Sequence, residues 1–335
     1  RQRKFKGLDN YAEGKFTNLS PTKMDLKYGD LLKEQFKKDP SRSPAKDIKP
    51  LKLDSLEVEK RSGKGTYLSW LGHSAFLLEM DGKKILIDPM LGDSPSPFDF
   101  LGPSRYSAEL AIEINKLPEI DFVIFSHDHY DHLDYGSIKL LKHKVNKFYV
   151  PLGLGAHLQY WGVPRANIVE LNWWEESAYE NIELALTPAR HFSGRGILDR
   201  NKTLWGSWVI EGTKEKIFFS GDGGYDDHFK EIGEKYGPFD LALMECGQYH
   251  QQWKLIHMMP EDIPAAVKEL KADLFMPIHW GAFTLALHSW IDPVVRVSEK
   301  AKEMGVPITT PAIGQTFEIG NGSYPIEKWW LEYAE

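Results

Sequence analysis

Over residues 1–64 the polar and apolar positions hold no strand or helix period for long; the stretch is Lys-rich and broken by Pro21, Pro40, Pro44 and Pro50. It reads as an extended arm with one short helix near Asp30–Lys38, packed on a domain spanning 65–335. At Thr66 the pattern changes. Thr66–Leu71, Ser74–Met80 and Lys83–Asp88 are short apolar or alternating runs joined by turns at Gly72 and Asp81-Gly82, and predict three strands. Pro89–Pro103 is a Gly/Pro/Ser loop too long for a simple connector. Asp121–Ser126 is apolar, β-branched and aromatic, the composition of a buried strand, and helical spacing follows it over Leu133–His143.

Beyond this point strands and helices alternate. Strands are predicted over Lys147–Pro151, Ile168–Leu171, Ile182–Ala189, Leu204–Glu211, Lys216–Ser220, Leu241–Cys246 and Leu274–Ile278. Helices are predicted around Gly155–Trp161 and over Asp226–Tyr236, Pro260–Lys271 (with Pro at its first turn) and Pro293–Met304. Strands first and strand–helix alternation afterwards predict an α/β layered sandwich, two sheets with helices outside.

Composition changes this picture little. Hydrophobic residues make up 42% of the 335, enough for a sizeable core, and net charge is −7, which argues against a nucleic-acid partner. Residues 1–64 carry 17 basic and 10 acidic side chains, an excess of seven, so the arm suits an anionic membrane surface or simply solvent. The single cysteine, Cys246, lies in an apolar run and reads as core. No apolar run reaches the ~18 residues needed to span a bilayer. The chain begins at Arg1 rather than Met, which leaves room for a signal or anchor upstream. Peripheral membrane or cell envelope is the favoured location over free cytoplasm, and the oligomeric state is open, a dimer included.

The chemistry concentrates in His127-Asp-His-Tyr-Asp-His132, placed between a strand end and a helix start. His127, His129, Asp131 and His132 are donors suited to zinc, and also to iron or manganese. Asp128 and Tyr130 read as residues that hold the loop. Other polar residues fall at strand ends, the rim where layered α/β folds build sites: His191, Asp222 and His279. They complete two coordination spheres. His127, His129 and His191 serve one ion; Asp131, His132 and His279 serve the other; Asp222, in a Gly-rich turn, bridges. A hydroxide shared by two metals ~3.5–4 Å apart is a nucleophile available at neutral pH.

His-x-His-x-Asp-His followed by strand-end His, Asp and His resembles the metallo-β-lactamase fold superfamily. WLGHSAFLLEMDGKKILIDP (70–89), FSHDHYDHLD (125–134), DRNKTLWGSWVI (199–210), FFSGDGGY (218–225), EIGEKYGPFDLALMECGQY (231–249) and MPIHWGAF (276–283) are similar, within it, to the N-acylphosphatidylethanolamine-hydrolysing phospholipases D. The leader GKFTNLSPT (14–22) is similar to that of bacterial relatives. The resemblance implies a four-layer αβ/βα sandwich of two mixed β-sheets flanked by helices, holding two zinc ions on those seven residues. It also implies a phospholipid substrate, hydrolysed to N-acylethanolamine and phosphatidic acid, with Asp131, Asp222 and His257 acting in the reaction. His257 either assists leaving-group departure, binds phosphate, or merely flanks a helix. Asp88 is expected to orient a metal ligand. Trp174, Trp253 and Tyr249 are expected at the substrate, with Trp173 favoured as core. The terminal Trp329-Trp330 pair reads as packing.

The competing class is a metal-dependent lactonase or carboxylic-ester or amide hydrolase. A nuclease is disfavoured by charge, a di-iron oxidoreductase by the lack of a flavin domain, and a non-enzymatic binding protein by the intact ligand set.

Overall fold

The computed structural model describes residues 5–27, 29, 33–34, 37–98 and 102–334. A two-stranded hairpin, β1 (Tyr11–Ala12) and β2 (Lys15–Phe16), opens the chain, and helix α1 (Ser55–Arg61) precedes the main body. β3 (Thr66–Gly72), β4 (Ala75–Met80), β5 (Lys83–Ile87), β6 (Ile120–Ile124), α2 (Tyr135–Leu141), β7 (Val145–Pro151), α3 (Gly155–Tyr160) and β8 (Ile168–Leu171) build the first half. The second half comprises β9 (Glu176–Tyr179), β10 (Ile182–Thr187), β11 (Ser207–Glu211), β12 (Lys216–Phe219), α4 (His228–Lys235), β13 (Leu241–Glu245), α5 (Ile263–Leu270), β14 (Phe275–Ile278), α6 (Asp292–Met304) and β15 (Thr316–Ile319).

These strands form two mixed sheets, ordered β15-β3-β4-β5-β6-β7-β8 and β14-β13-β12-β11-β10-β9. In the first, β5 to β8 run parallel and the rest antiparallel; in the second, β12 to β14 run parallel. The sequence dictates this layering because the central strands are apolar on both sides. In β6, Phe122 and Ile124 enter the core between the sheets, while Val123 points to the outer core that α1, α2 and α3 cover. The second sheet likewise turns Ala185, Val209 and Phe218 toward α4, α5 and α6. The result is the αβ/βα sandwich expected. A strand with both faces covered needs a near-continuous apolar run, as these have. The one acidic residue within β4, Glu79, is nearly buried and is held by Arg61 of α1 at 2.6 Å.

Several expectations need correction. The helix placed over Pro260–Lys271 begins at Ile263, with Pro264 in its first turn, and Pro260 lies outside it. α2 begins at Tyr135 rather than Leu133, because Asp134 caps it, accepting from the Gly136 and Ser137 N–H groups. β9, β15 and the β1–β2 hairpin went unpredicted. The helix expected over Asp30–Lys38 falls mostly outside the described residues. Trp329 and Trp330 pack with Trp280, Trp70 and Trp290 in one aromatic cluster, and Cys246 is fully buried.

The arm is stitched to the body by hydrogen bonds. Asn18 accepts from the His191 N–H and donates to the His191 carbonyl (3.1 and 2.8 Å), and Arg190 donates to the Pro21 carbonyl and the Thr22 hydroxyl. Among the described residues, no helix is long and apolar enough to cross a membrane.

Candidate metal centre

Every side chain of the centre leaves the end of a strand or a tight turn. His127 to His132 follow β6, His191 follows β10, Asp222 follows β12 and His279 follows β14. Close backbone approach is required here. A Cβ on Gly221, whose φ is +57°, would lie 2.7 Å from Ser126 Cβ, and one on Gly247 would lie 1.8 Å from the His279 carbonyl oxygen.

Two donor groups result. His127, His129, His191 and Asp222 offer ligand atoms all within 4.8 Å of one another, and so do His73, Asp131, His132 and His279. His127 Nε2 lies 2.8 Å from His129 Nδ1, which lies 3.2 Å from His191 Nε2. Three imidazole nitrogens this close cannot all be satisfied by shared protons, so their lone pairs converge on a common point. His132 Nε2 and Asp222 Oδ2 are 3.2 Å apart. Yet buried His132 Nε2 and Asp222 Oδ1 have no hydrogen-bond partner. Buried orphan donors and acceptors are costly unless something occupies the space they face. The seven expected residues therefore lie together, with His73 joining Asp131, His132 and His279, and the donor set fits divalent cations.

The electrostatics agree. Burial pushes His127, His191 and His279 well below the usual imidazole range and His129 to about 4, so all four stay neutral and able to bind metal. Burial also raises Asp222, to about 6. For His132 burial works downward, but Asp222 and Asp131 outweigh it and hold the imidazole well above its usual value. A buried cluster that retains a proton among carboxylates is one in which a cation can take that proton's place.

Supporting residues fix the ligands. Asp88 accepts from His132 Nδ1 at 2.6 Å and from the Ser126 N–H at 2.7 Å, the orienting contact expected of it. The His191 Nδ1–H donates to the Ile256 carbonyl at 2.8 Å. Asp128 points away from the cluster, accepting from the Gly194 N–H and the Thr203 hydroxyl, while the Tyr130 hydroxyl donates to the Arg195 carbonyl. Two residues escaped the sequence reading. His73, in the β3–β4 turn, lies 2.9 Å from Asp131 Oδ2 and against His279. Glu245, ending β13, is fully buried and accepts from His257 Nδ1 at 2.7 Å. The strand-end rule that selected Asp222 and His279 points to Glu245 as well; His73 gave only a histidine in a predicted turn.

A cavity of about 220 Å³ opens on the centre. It is lined by His129, Asp131, Asp222, His257 and His279, by the amide of Gln248, and by Met24, Phe192, Trp253, Ile256 and Leu285. Trp174 lines a different cavity, of about 410 Å³, with Asn10, Asn18 and Trp173. It sits at the turn into β9. Tyr249 is also displaced. Gln248, at φ +59°, turns the chain so that Tyr249 is buried, hydrogen-bonded to Asp292 and stacked on His288 at 4.4 Å.

A family model described as the beta-lactamase superfamily domain matches residues 83–280, more than half of the chain. The chain belongs to the metallo-β-lactamase superfamily. An uncharacterized protein of Mycobacterium tuberculosis is 39% identical over 326 residues, 96% of this chain and 87% of that one. N-acyl-phosphatidylethanolamine-hydrolyzing phospholipase D 1 of Caenorhabditis elegans is 37% identical over 237 residues, covering 67% of this chain and 66% of the relative. Among solved structures, the metallo hydrolase Igni18 of Ignicoccus hospitalis has the same fold, with a TM-score of 0.56 at 23% identity over 76% of this chain and 99% of that one. Membership and the intact donor set together make the chain a metal-dependent hydrolase of the metallo-β-lactamase superfamily.

Proposed function

We propose that this hydrolase is a zinc-dependent phosphodiesterase that cleaves N-acylphosphatidylethanolamine-type phospholipids to N-acylethanolamine and phosphatidic acid. One observation carries the reading: metal-ligating side chains share one cavity with the apolar side chains of Met24, Phe192, Trp253, Ile256 and Leu285. Such a cavity suits acyl chains and leaves the phosphate to the metal-ligating side chains. The likeness to the Caenorhabditis elegans phospholipase supports the same substrate class.

In this proposal His127, His129 and His191 would hold one cation, Asp131, His132 and His279 would hold the second, and Asp222 would serve both. The pair, when bound, supplies a water activated near neutral pH and offsets the charge on the attacked phosphoryl oxygens. The chain's own residues do the rest. Asp88 fixes the His132 ring and His73 fixes the Asp131 carboxylate. His257 donates its Nδ1–H to Glu245, which leaves Nε2 facing the cavity. There Nε2 takes the proton lost by the attacking water and passes it to the ethanolamine oxygen as the phosphorus–oxygen bond breaks. Zinc is the ion proposed; iron or manganese would fit the same donors. Contact with the membrane is peripheral.

The test is turnover by the metal-loaded protein across N-acylated and plain phospholipids and a lactone, with and without chelator. Chelator-sensitive release of N-acylethanolamine is the expected result. Turnover of the lactone alone would replace this reading with the carboxylic-ester one.

A further inference from the structure

Among the described residues, the two most exposed large hydrophobic side chains are neighbours. Ile197 and Leu198 are 98% and 90% exposed, at the tip of the loop that leaves His191 and Phe192. The loop is held rigid. The Asp199 carboxylate accepts from the Arg195 and Gly196 N–H groups at 3.0 and 2.8 Å, and the Asn201 N–H donates to the Ser193 carbonyl. Arg195 anchors it from beneath, donating to the carbonyls of Asp128 and Leu133 and lying over the rings of Tyr130 (3.9 Å) and Trp161 (5.2 Å). An aliphatic tip so firmly braced is presented to something.

The same anchor shows what surrounds it. Trp161 packs on Tyr135 at 5.3 Å, and the preceding residue, Tyr160, is 89% exposed. Lys139 lies over the Tyr135 ring, and Lys142 donates to the Trp161 carbonyl. Beyond the anchoring Arg195 and the internally bonded Asp199, residues 193–202 carry two more basic side chains, Arg200 and Lys202, and no further acid. Aliphatic tip, aromatic belt and lysines beside it are the composition of an interfacial anchor, not of a protein–protein patch, in which lysine is depleted. The basic surplus also stands against a chain of net charge −7.

We infer that the Gly196–Leu198 tip, with Tyr135, Tyr160 and Trp161 behind it, docks on an anionic phospholipid surface and turns the Phe192 wall of the metal cavity toward the bilayer. This deepens the lipid reading above and rests on it for its purpose. It also moves the membrane face away from Trp174, which lies at the other cavity.

The experiment compares the wild type, the double variant I197S/L198S and W174A. Each is sedimented with vesicles of phosphatidylcholine with and without phosphatidylglycerol, and assayed on detergent-dispersed N-acylphosphatidylethanolamine. Removing two inserted aliphatic side chains should weaken vesicle binding about a hundredfold. W174A should bind like the wild type, phosphatidylglycerol should strengthen wild-type binding, and dispersed-substrate turnover should not change. Wild-type vesicle affinity in the double variant would overturn the inference. So would a wild-type dimer that the double variant converts to monomer, which would make the patch a contact between copies of the chain. Tip-dependent vesicle binding without any turnover of the phospholipid would instead refute the proposed reaction and leave the docking face standing.

Discussion

Asp128 sits inside the metal motif and is buried, yet its contacts give it a mechanical task. One carboxylate oxygen accepts from the Gly194 N–H at 2.8 Å and the other from the Thr203 hydroxyl at 2.7 Å, with His157 Nε2 3.4 Å away. It therefore ties the His127–His132 loop to the loop after His191. Asp128→Ala strands two donors, each worth ~1–3 kcal/mol when left unsatisfied. Gly194 is partly reachable by solvent, so the expected loss of stability is about 3 kcal/mol. Asp128→Asn keeps the shape and can still accept from Gly194, so about 1 kcal/mol is expected. Urea unfolding with chelator present isolates this effect, because bound metal would add its own stabilisation. Metal content of chelator-free protein is counted in parallel and should match the wild type in both variants. The reasoning would be refuted by Asp128→Asn that unfolds like the wild type but loses an ion, since Asp128 would then be a ligand.

Two further outcomes follow from histidines. His257→Gln should lower kcat about a hundredfold with KM and metal content unchanged; loss of an ion would make His257 a ligand instead. His228, buried in α4 away from the centre, is pushed down to about 4 by burial. Its unfolded form takes up a proton below about 6.5 while the folded form does not, so stability is full above that pH and falls as pH drops toward 4. His228→Gln should remove about 3 kcal/mol of that pH dependence, read from unfolding at pH 7 and pH 4; an unchanged slope would place the titration elsewhere.

How much of this the sequence disclosed depends on range. β6 was legible because Phe122-Val-Ile-Phe125 must be apolar on both faces, and the metal residues because chemistry-bearing side chains kept appearing at strand ends. β15 was not, since Thr316–Ile319 becomes a strand only by pairing with β3 at the opposite end of the domain. β9 is an edge strand with a mostly solvated pattern. His73 was missed because its role exists only once the β3–β4 turn meets Asp131. Trp174 and Tyr249 were misplaced for a related reason: an aromatic residue near the motif in sequence does not reveal which way the backbone turns it. Gln248 at positive φ decides the matter for Tyr249.

In the proposed centre, seven side chains drawn from four segments would share two cations, with Asp222 common to both. Elemental analysis of protein never exposed to chelator, on the wild type and Asp222→Ala, tests it most directly. Two ions per wild-type chain and at most one in the variant are expected, with turnover abolished and the far-ultraviolet spectrum preserved, because an extensive apolar core lies between the sheets apart from the centre. Two ions and full turnover in Asp222→Ala would contradict it.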